Sequence, residues 1–197
     1  DLYPYMSSRW RDHLDNYGQR FRQAFVGSTA FPKATPALSR RDAWPEEGGG
    51  PGSSLKMMQR QHLDGNGIDR GMLYPLFPRG MDDRNVDCAH AVCRAINDWQ
   101  IEQWVEPEPR LKGTITVMAE DPEGAVAEIE RCSKIKGFVQ VAMATRAIEP
   151  IGRKRYWRIY EAAAHHGFAL GLHSAGNNGH APTGGGSPSF YFEEHQA

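Results

Sequence analysis

The amino-acid sequence predicts an α/β fold in which helices cover a parallel sheet. From residue 67 onward, short apolar runs alternate strictly with amphipathic segments of helical period. The last run, 168–173, ends in His173 and opens into a loop rich in glycine and asparagine, as functional strand ends often do. No glycine-rich phosphate motif follows any of the runs. The pattern therefore favours a closed eight-stranded barrel over an open doubly wound sheet.

The first part of the chain is predicted to form helices and loops, because it is rich in arginine and aromatic residues and contains no strand-like run. Ser7 is placed to cap a short helix, and 55–63 has the pattern of a second helix that stops at a following glycine. The glycine- and proline-rich stretch 44–52 separates the two helices. We interpret 1–65 as a helix and loop insertion region and 66–197 as consecutive strand–helix units of the same domain.

Four strands and three helices are predicted in the second part. The predicted strands are 68–76, 111–118, 136–142 and 168–173. The predicted helices are 83–105, 122–132 and 153–166. Asp121 is the expected N-cap of the second of these helices, since a proline follows it at the first helical position. Right-handed crossovers then place the four strands parallel and adjacent in chain order.

Composition and charge favour a protein that acts on a small molecule. A formal net charge of -1, with both signs interspersed, gives no electrostatic footprint for nucleic acid. No apolar run is long enough to cross a bilayer and no secretory signal is visible, so we expect a cytoplasmic protein without a membrane partner. Cys88, Cys93 and Cys132 lack the spacing of a disulfide framework or a zinc knuckle. We interpret all three as reduced thiols, mostly buried.

His173 is the main candidate for chemistry, because α/β proteins place active sites at the carboxyl ends of their parallel strands. A histidine that only forms hydrogen bonds at the barrel rim is the alternative. Tyr74 ends the first predicted strand and faces either the barrel mouth or the core. Asn177 and His180 follow His173 in the loop and are candidate substrate-binding residues, or solvated ones. His195 is interpreted as a surface or packing residue beside two acids.

Several short motifs stand together in this sequence. They are NGIDRGMLYP at 66–75, NDW at 97–99, DP at 121–122, AVAEI at 125–129, YEAA at 160–163 and GLH at 171–173. Their combination resembles the amidohydrolase-related family that includes aminocarboxymuconate semialdehyde decarboxylase. The segments LYPY at 2–5, RWR at 9–11 and SRRDAWP at 39–45 resemble the insertions of a hydrolase-like branch of that family.

The resemblance implies a TIM-barrel-like fold, a distorted eight-stranded β/α barrel with one divalent metal, most commonly zinc, at its mouth. The family takes its metal ligands from a His-x-His pair after the first strand, histidines after the fifth and sixth strands, and an aspartate after the eighth. Of these, only the fifth-strand ligand carries over, onto His173. The His-x-His pair would precede Asp1, and the sixth strand would follow Ala197. The resemblance therefore implies an incomplete barrel of about four strands, which we expect to be inactive by itself.

For the intact protein, the resemblance implies a metal-dependent hydrolase that cleaves a C–N or C–O bond of a small organic substrate with metal-activated water. Decarboxylation of an unsaturated or aromatic carboxylate in the same pocket is the alternative. A metal-free, degenerate barrel that acts as a binding module is a second alternative. An unrelated nucleotide-binding domain would need a phosphate motif that the sequence lacks. A homodimer of the full-length protein is left open.

Overall fold

A sheet of four parallel strands lies at the centre of the structure, a computed structural model that describes residues 2–18, 40–75, 85–146 and 149–176. The strands are β1 Gly71–Met72, β2 Leu111–Ile115, β3 Phe138–Arg146 and β4 Ala169–Gly176. They lie in the order β1-β2-β3-β4, and every neighbouring pair is parallel. The prediction of four parallel strands, adjacent in chain order, is confirmed, and the fold is an incomplete TIM-barrel-like arrangement.

Helices precede or connect the strands, close to the predicted positions. The α-helices are α1 Ser8–Tyr17, α2 Leu55–Met58, α3 Val86–Gln100, α4 Pro122–Cys132 and α5 Trp157–His165. Helices α2 and α3 continue as π-helical turns over Gln59–Asp64 and Ile101–Val105. Short 3-10 turns cover Tyr3–Tyr5, Arg41–Ala43 and Lys154–Tyr156. In the described residues, no helix is long and apolar enough to cross a membrane.

The strand bounds differ from the predicted ones, most clearly in β1. The predicted strand 68–76 is apolar apart from Asp69 and Arg70, but its ladder with β2 pairs only Gly71 with Leu111 and Met72 with Lys112. Before the ladder, the N–H of Ile68 donates to Leu63 O at 2.8 Å and so closes the preceding helix instead of entering the sheet. Strand β2 ends at residue 115 rather than 118, whereas β3 and β4 extend beyond their predicted carboxyl ends.

Helices α4 and α5 cover one face of the sheet with an apolar core. Ile115 of β2, Val117 just after it, and Val141 and Met143 of β3 belong to this core. The helices contribute Ala125, Ile129, Cys132, Ile159, Ala162 and Ala163. The alternation of buried apolar side chains therefore identifies the helix-facing side of each strand. The same positions on β4 are less covered, since Leu170 and Leu172 are 40% and 56% exposed.

The amino-terminal helix α1 packs against the outer side of α3. Trp10 and Leu14 of this helix border a cluster whose buried members are Met6, Cys88, Val92, Ala95 and Ile96. All three cysteines are buried and form no disulfide, as predicted from the sequence. Asp121 does precede α4, but its carboxylate forms no capping hydrogen bond and pairs instead with a histidine of α3.

Candidate functional site

The face of the sheet opposite the helices, called the inner face below, carries small and polar residues. Thr114 of β2 donates its hydroxyl to Gln140 Oε1 of β3 at 3.3 Å, and both residues are buried. The Gln140 side chain then lies against Gly171 of β4. A Cβ atom at position 171 would lie 1.7 Å from Gln140 Nε2, so any larger residue there would force the Gln140 side chain to move. These three residues form a row across β2, β3 and β4.

Tyr74 reaches across this inner face. Its phenol oxygen lies 3.4 Å from Met143 O on β3 and 3.3 Å from Gly171 O on β4, so the two carbonyls share its single O–H donor. Tyr74 directly follows Leu73, whose N–H makes the last hydrogen bond to β2, at 2.8 Å to Lys112 O. The half-buried phenol therefore contacts the backbone of β3 and β4 rather than that of the adjacent strand β2. A role for Tyr74 in substrate binding stays a prediction.

His173 lies near the carboxyl end of β4, where its backbone pairs with Ala144 of β3. It is two residues beyond Gly171, which pairs with Ala142. Its role in metal binding stays a prediction. Asn177, His180 and His195, the other residues discussed from the sequence, lie outside the described residues.

Two buried amides of α3 hold the carboxyl half of β2, and the sequence analysis did not single them out. Asn97 and Gln100 are 0% and 1% exposed. Asn97 Oδ1 accepts from Thr116 N–H at 2.8 Å and its Nδ2 donates to Thr116 O at 3.0 Å. Gln100 makes the same pair of bonds to Thr114, at 3.1 and 2.8 Å. The sequence feature that could have predicted them is the i, i+3 spacing of two amides on one face of a helix, a face that the apolar pattern marks as buried.

An ion-pair network lies behind Asn97. The Nδ2 of Asn97 also donates to Glu128 Oε1 at 2.8 Å, and Arg131 donates to both oxygens of Glu128 at 2.7 and 2.8 Å. Arg131 in turn pairs with Asp98 at 2.8 Å. Burial alone would raise the pKa of Glu128, but hydrogen bonds from Arg131 and Asn97 outweigh it, and the pKa is lowered. The network therefore stays charged and ties α3 to α4.

The loop after β2 is fixed at its end by a histidine–aspartate pair. His90 Nε2 lies 2.9 Å from Asp121 Oδ2, and the two side chains are 26% and 38% exposed. Gly124 lies directly under the imidazole, because a Cβ atom there would come within 2.3 Å of the ring. The hydrogen bond to His90, followed by the nearby backbone amide of Gly124, lowers the pKa of Asp121. This pair joins α3 to the start of α4.

A second polar network joins the loops that follow β2 and β3. Tyr156 donates its phenol to the Glu120 carboxylate at 3.1 Å and accepts from Glu149 N–H at 3.3 Å. Arg155 pairs with Glu149 at 2.9 Å and with Glu120 at 3.3 Å. Burial is the main cause that raises the pKa of Tyr156 to about 12. The groups satisfy one another, so we interpret them as supports of the rim.

The described residues do not form a complete metal site. Among them, no group of three or more His, Cys, Asp or Glu side chains is arranged to hold a metal ion. A catalytic zinc site needs at least three protein ligands and an open position. The donor set of the described residues therefore does not fit a divalent metal, and His173 would have to be joined by ligands outside that set.

Comparison with known proteins identifies the family. The amidohydrolase family model matches residues 10–195. No match was found among the curated proteins. A Staphylococcus aureus structure described as an amidohydrolase is similar, with 23% identity and a TM-score of 0.58, over 66% of this chain and 42% of that one.

Two solved structures of 5-carboxyvanillate decarboxylase from Novosphingobium aromaticivorans are also similar. The first contains manganese and 4-hydroxy-3-methoxy-5-nitrobenzoic acid and has 18% identity and a TM-score of 0.60. The second, a variant with manganese and the same acid, has 19% identity and a TM-score of 0.57. Both matches cover 85% of this chain and 48% of the other.

The chain thus spans less than half the length of these solved structures. At identities of 18–23%, the structural likeness supports the fold alone. The family model matches nearly the whole sequence and therefore supports membership of the family. The chain belongs to the amidohydrolase family.

Proposed function

We propose that the full-length protein is a metal-dependent hydrolase of the amidohydrolase superfamily, which cleaves a C–N or C–O bond of a small organic substrate. Family membership is the observation that carries this proposal. The position of His173 supports it, because the histidine lies near the carboxyl end of a parallel strand, where barrel enzymes place their active sites. A divalent metal bound there would supply an activated water.

His173 is the proposed metal ligand of this chain. In the ladder, His173 pairs with the small residue Ala144. The pair two residues before it, Ala142 and Gly171, is also small. Small residues at these positions would leave room beside His173 for a metal and a substrate. We propose zinc or manganese, and manganese is present in both decarboxylase structures.

Tyr74 is proposed as a substrate-binding residue, together with Asn177 and His180 of the loop after β4. The phenol of Tyr74 lies over Gly171 O, two residues before the proposed ligand. A phenolic hydroxyl in this place can donate a hydrogen bond to a substrate oxygen instead of a backbone carbonyl. Its contacts of 3.3 and 3.4 Å are longer than an ordinary O–H···O hydrogen bond, so a better-placed acceptor would displace them.

Decarboxylation of an aromatic carboxylate is the second candidate function. Both matched decarboxylase structures cover 85% of this chain, more than the 66% of the Staphylococcus aureus structure. Hydrolysis and decarboxylation leave different products, a released amine or alcohol in one case and carbon dioxide in the other. Incubating the full-length protein with amides, lactones and hydroxybenzoates, and measuring both kinds of product, separates the two functions.

The metal assignment is tested by His173→Ala in the full-length protein. We expect elemental analysis to show loss of most bound metal and turnover to fall with it, since each ligand of a small donor set is essential. His165→Ala removes an exposed histidine of α5 and should leave the metal content unchanged. Full metal occupancy in His173→Ala would refute the assignment of this ligand.

A further inference from the structure

The carboxyl half of β2 has no neighbouring strand on its β1 side in the described residues. The β1–β2 ladder ends with the bond from Leu73 N–H to Lys112 O. Backbone groups of a strand alternate between its two neighbours, so those of Thr114 and Thr116 point to the same side as Lys112 O. The opposite side is occupied, since Gly113 N–H donates to Gly137 O at the start of β3. Thr114 of β2 and Thr116, which follows the strand, thus have no strand partner on this side among the described residues.

Side-chain amides replace that partner. A carboxamide presents one donor and one acceptor, as a peptide group does, and each of the two amides binds both the N–H and the C=O of one β2 residue. Asn97 serves Thr116 and Gln100 serves Thr114. Gln100 Nε2 also lies 3.3 Å from Asn97 Oδ1, which links the two amides. Together they form the equivalent of a short strand on the edge of β2.

The arrangement leaves Asn97 fully bonded. Its oxygen accepts from Thr116 and Gln100, and its nitrogen donates to Thr116 and Glu128. All four hydrogen-bonding positions of the carboxamide are used. A buried polar network of this kind fixes a single geometry, because any rotation of the amide would leave several groups without a partner.

The replacement has a consequence for the chain that leaves β1. Because β2 needs no further bonds from that side, the described residues that follow Leu73, 74 and 75, form no ladder pair with it. Tyr74, the next residue, places its phenol over the carbonyls of Met143 and Gly171 instead. We infer that Asn97 and Gln100 are positioning residues for Tyr74: by taking the edge of β2, they release the chain after Leu73 and let the phenol cross the inner face. The inference rests on the proposed function only where it treats Tyr74 as substrate-binding.

A purely structural role for the two amides makes a different prediction. If they only protected an open sheet edge, their loss would weaken β2 but leave the environment of Tyr74 unchanged. If they position Tyr74, the chain after Leu73 can pair with the exposed Thr114 once Gln100 is gone, and the phenol must move. The position of the Tyr74 ring is therefore the decisive observable.

The test compares Gln100→Met with Gln103→Met in the full-length, metal-free protein. Gln103 is an exposed residue of the same helical segment, and its amide donates to Tyr5 rather than to β2. Hydrogen exchange measures the Thr114 and Thr116 amides. Fluorotyrosine labelling with 19F NMR measures the Tyr74 ring, whose resonance is assigned by its loss in Tyr74→Phe. Gln100→Glu, which keeps the acceptor for Thr114 N–H, is the second variant if Gln100→Met does not fold.

We expect Gln100→Met to raise the exchange rate of the Thr114 amide about tenfold, the equivalent of one lost hydrogen bond. We also expect it to shift the Tyr74 resonance while the other tyrosine resonances stay in place. Gln103→Met should change neither. An unchanged Thr114 amide would refute the edge replacement, and an unchanged Tyr74 resonance would refute the positioning role. Because metal is absent, the result is independent of whether His173 binds one.

Discussion

The two ends of β2 are held by different chemistry. Before its amino end, Glu108 forms a charged cluster in which Arg110 donates to it at 2.7 and 2.9 Å and Gln59 donates at 3.0 Å. Arg110 also pairs with Asp64 at 2.7 Å. At the carboxyl end, the neutral amides of Asn97 and Gln100 hold the backbone. One end is therefore charged and partly exposed, and the other is neutral and buried.

The two ends of β2 therefore lie on the two faces of the sheet that serve different purposes in a barrel enzyme. Barrel enzymes use the amino-terminal face of the sheet for stability and the carboxyl-terminal face for their sites. A charged cluster at the amino-terminal face stabilises the fold in a manner that depends on pH. Neutral amides at the other face hold the strand end without a titrating group in direct contact with its backbone. The side chains that bond to the backbone at this end therefore carry no titrating group themselves.

Asn97→Leu should have the largest effect on stability. The variant removes all four hydrogen bonds of the amide and leaves Thr116 N–H, Thr116 O and Glu128 without this partner in a buried place. Each buried group that loses its partner costs about 1–3 kcal/mol, so we expect the free energy of unfolding to fall by at least about 3 kcal/mol. Urea denaturation of the full-length protein measures it. A loss below about 1 kcal/mol would show that the amide is not essential to the edge.

Gly171→Ala should be the next most damaging change. The new Cβ atom would lie 1.7 Å from Gln140 Nε2 and 2.4 Å from its Cδ, so the Gln140 side chain must move and abandon Thr114. Such overpacking costs about 1–3 kcal/mol. Adding Gln140→Ala should restore part of the loss, because the obstacle is then gone. Equal stability of Gly171→Ala and the wild type in urea denaturation would contradict the packing described here.

Glu108→Gln tests the charged end. The hydrogen bonds from Arg110 and Gln59 lower the pKa of Glu108 to about 2. A lowered pKa means that the stabilisation is fully present above the unfolded-state pKa, about 4.3, and is lost as the pH falls towards 2. We expect Glu108→Gln to cost about 1.5 kcal/mol at pH 7, since Arg110 is 32% exposed and solvent weakens the pair.

The pH dependence gives this prediction its control. In urea denaturation at pH 7 and pH 3, the difference between wild type and Glu108→Gln should shrink at the lower pH. Glu123 pairs with Arg158 on the surface, with side chains 81% and 62% exposed, so Glu123→Gln should change stability little at either pH. A Glu108→Gln difference that grows on acidification would contradict the assigned direction of the pKa.

The alternation of strands and helices could be predicted from the sequence because it depends on local hydrophobic period. The run 111–118 is apolar enough to be recognised, and Pro122 marks the start of α4 without knowledge of any neighbour. The length of β1 could not be predicted in the same way. Residues 68–76 have the composition of a strand, but side chains more than twenty positions away occupy the edge with which they would pair.

The candidate site was predictable to a smaller extent. His173 stands out because it ends an apolar run, and the family motifs place it on a strand end. Tyr74 was recognised as a candidate, but its hydrogen bonds to β3 and β4 depend on the tertiary fold. Asn97 lies in a motif that the sequence analysis used for the resemblance alone. Its role follows from long-range contacts that no local pattern encodes.

Thr116→Val should have the smallest effect and the opposite sign. Thr116 is 2% exposed, and its hydroxyl has no hydrogen-bond partner among the residues that the structure describes. Valine has nearly the same shape and removes the unsatisfied group, so we expect the free energy of unfolding to rise by about 1 kcal/mol. Thr114→Val is the matched control on the same strand. It removes the bond to Gln140 Oε1 and should lower the free energy of unfolding by about the same amount. If Thr116→Val lowers stability instead, the hydroxyl has a partner in solution, and the buried end of β2 holds a bound water or ligand.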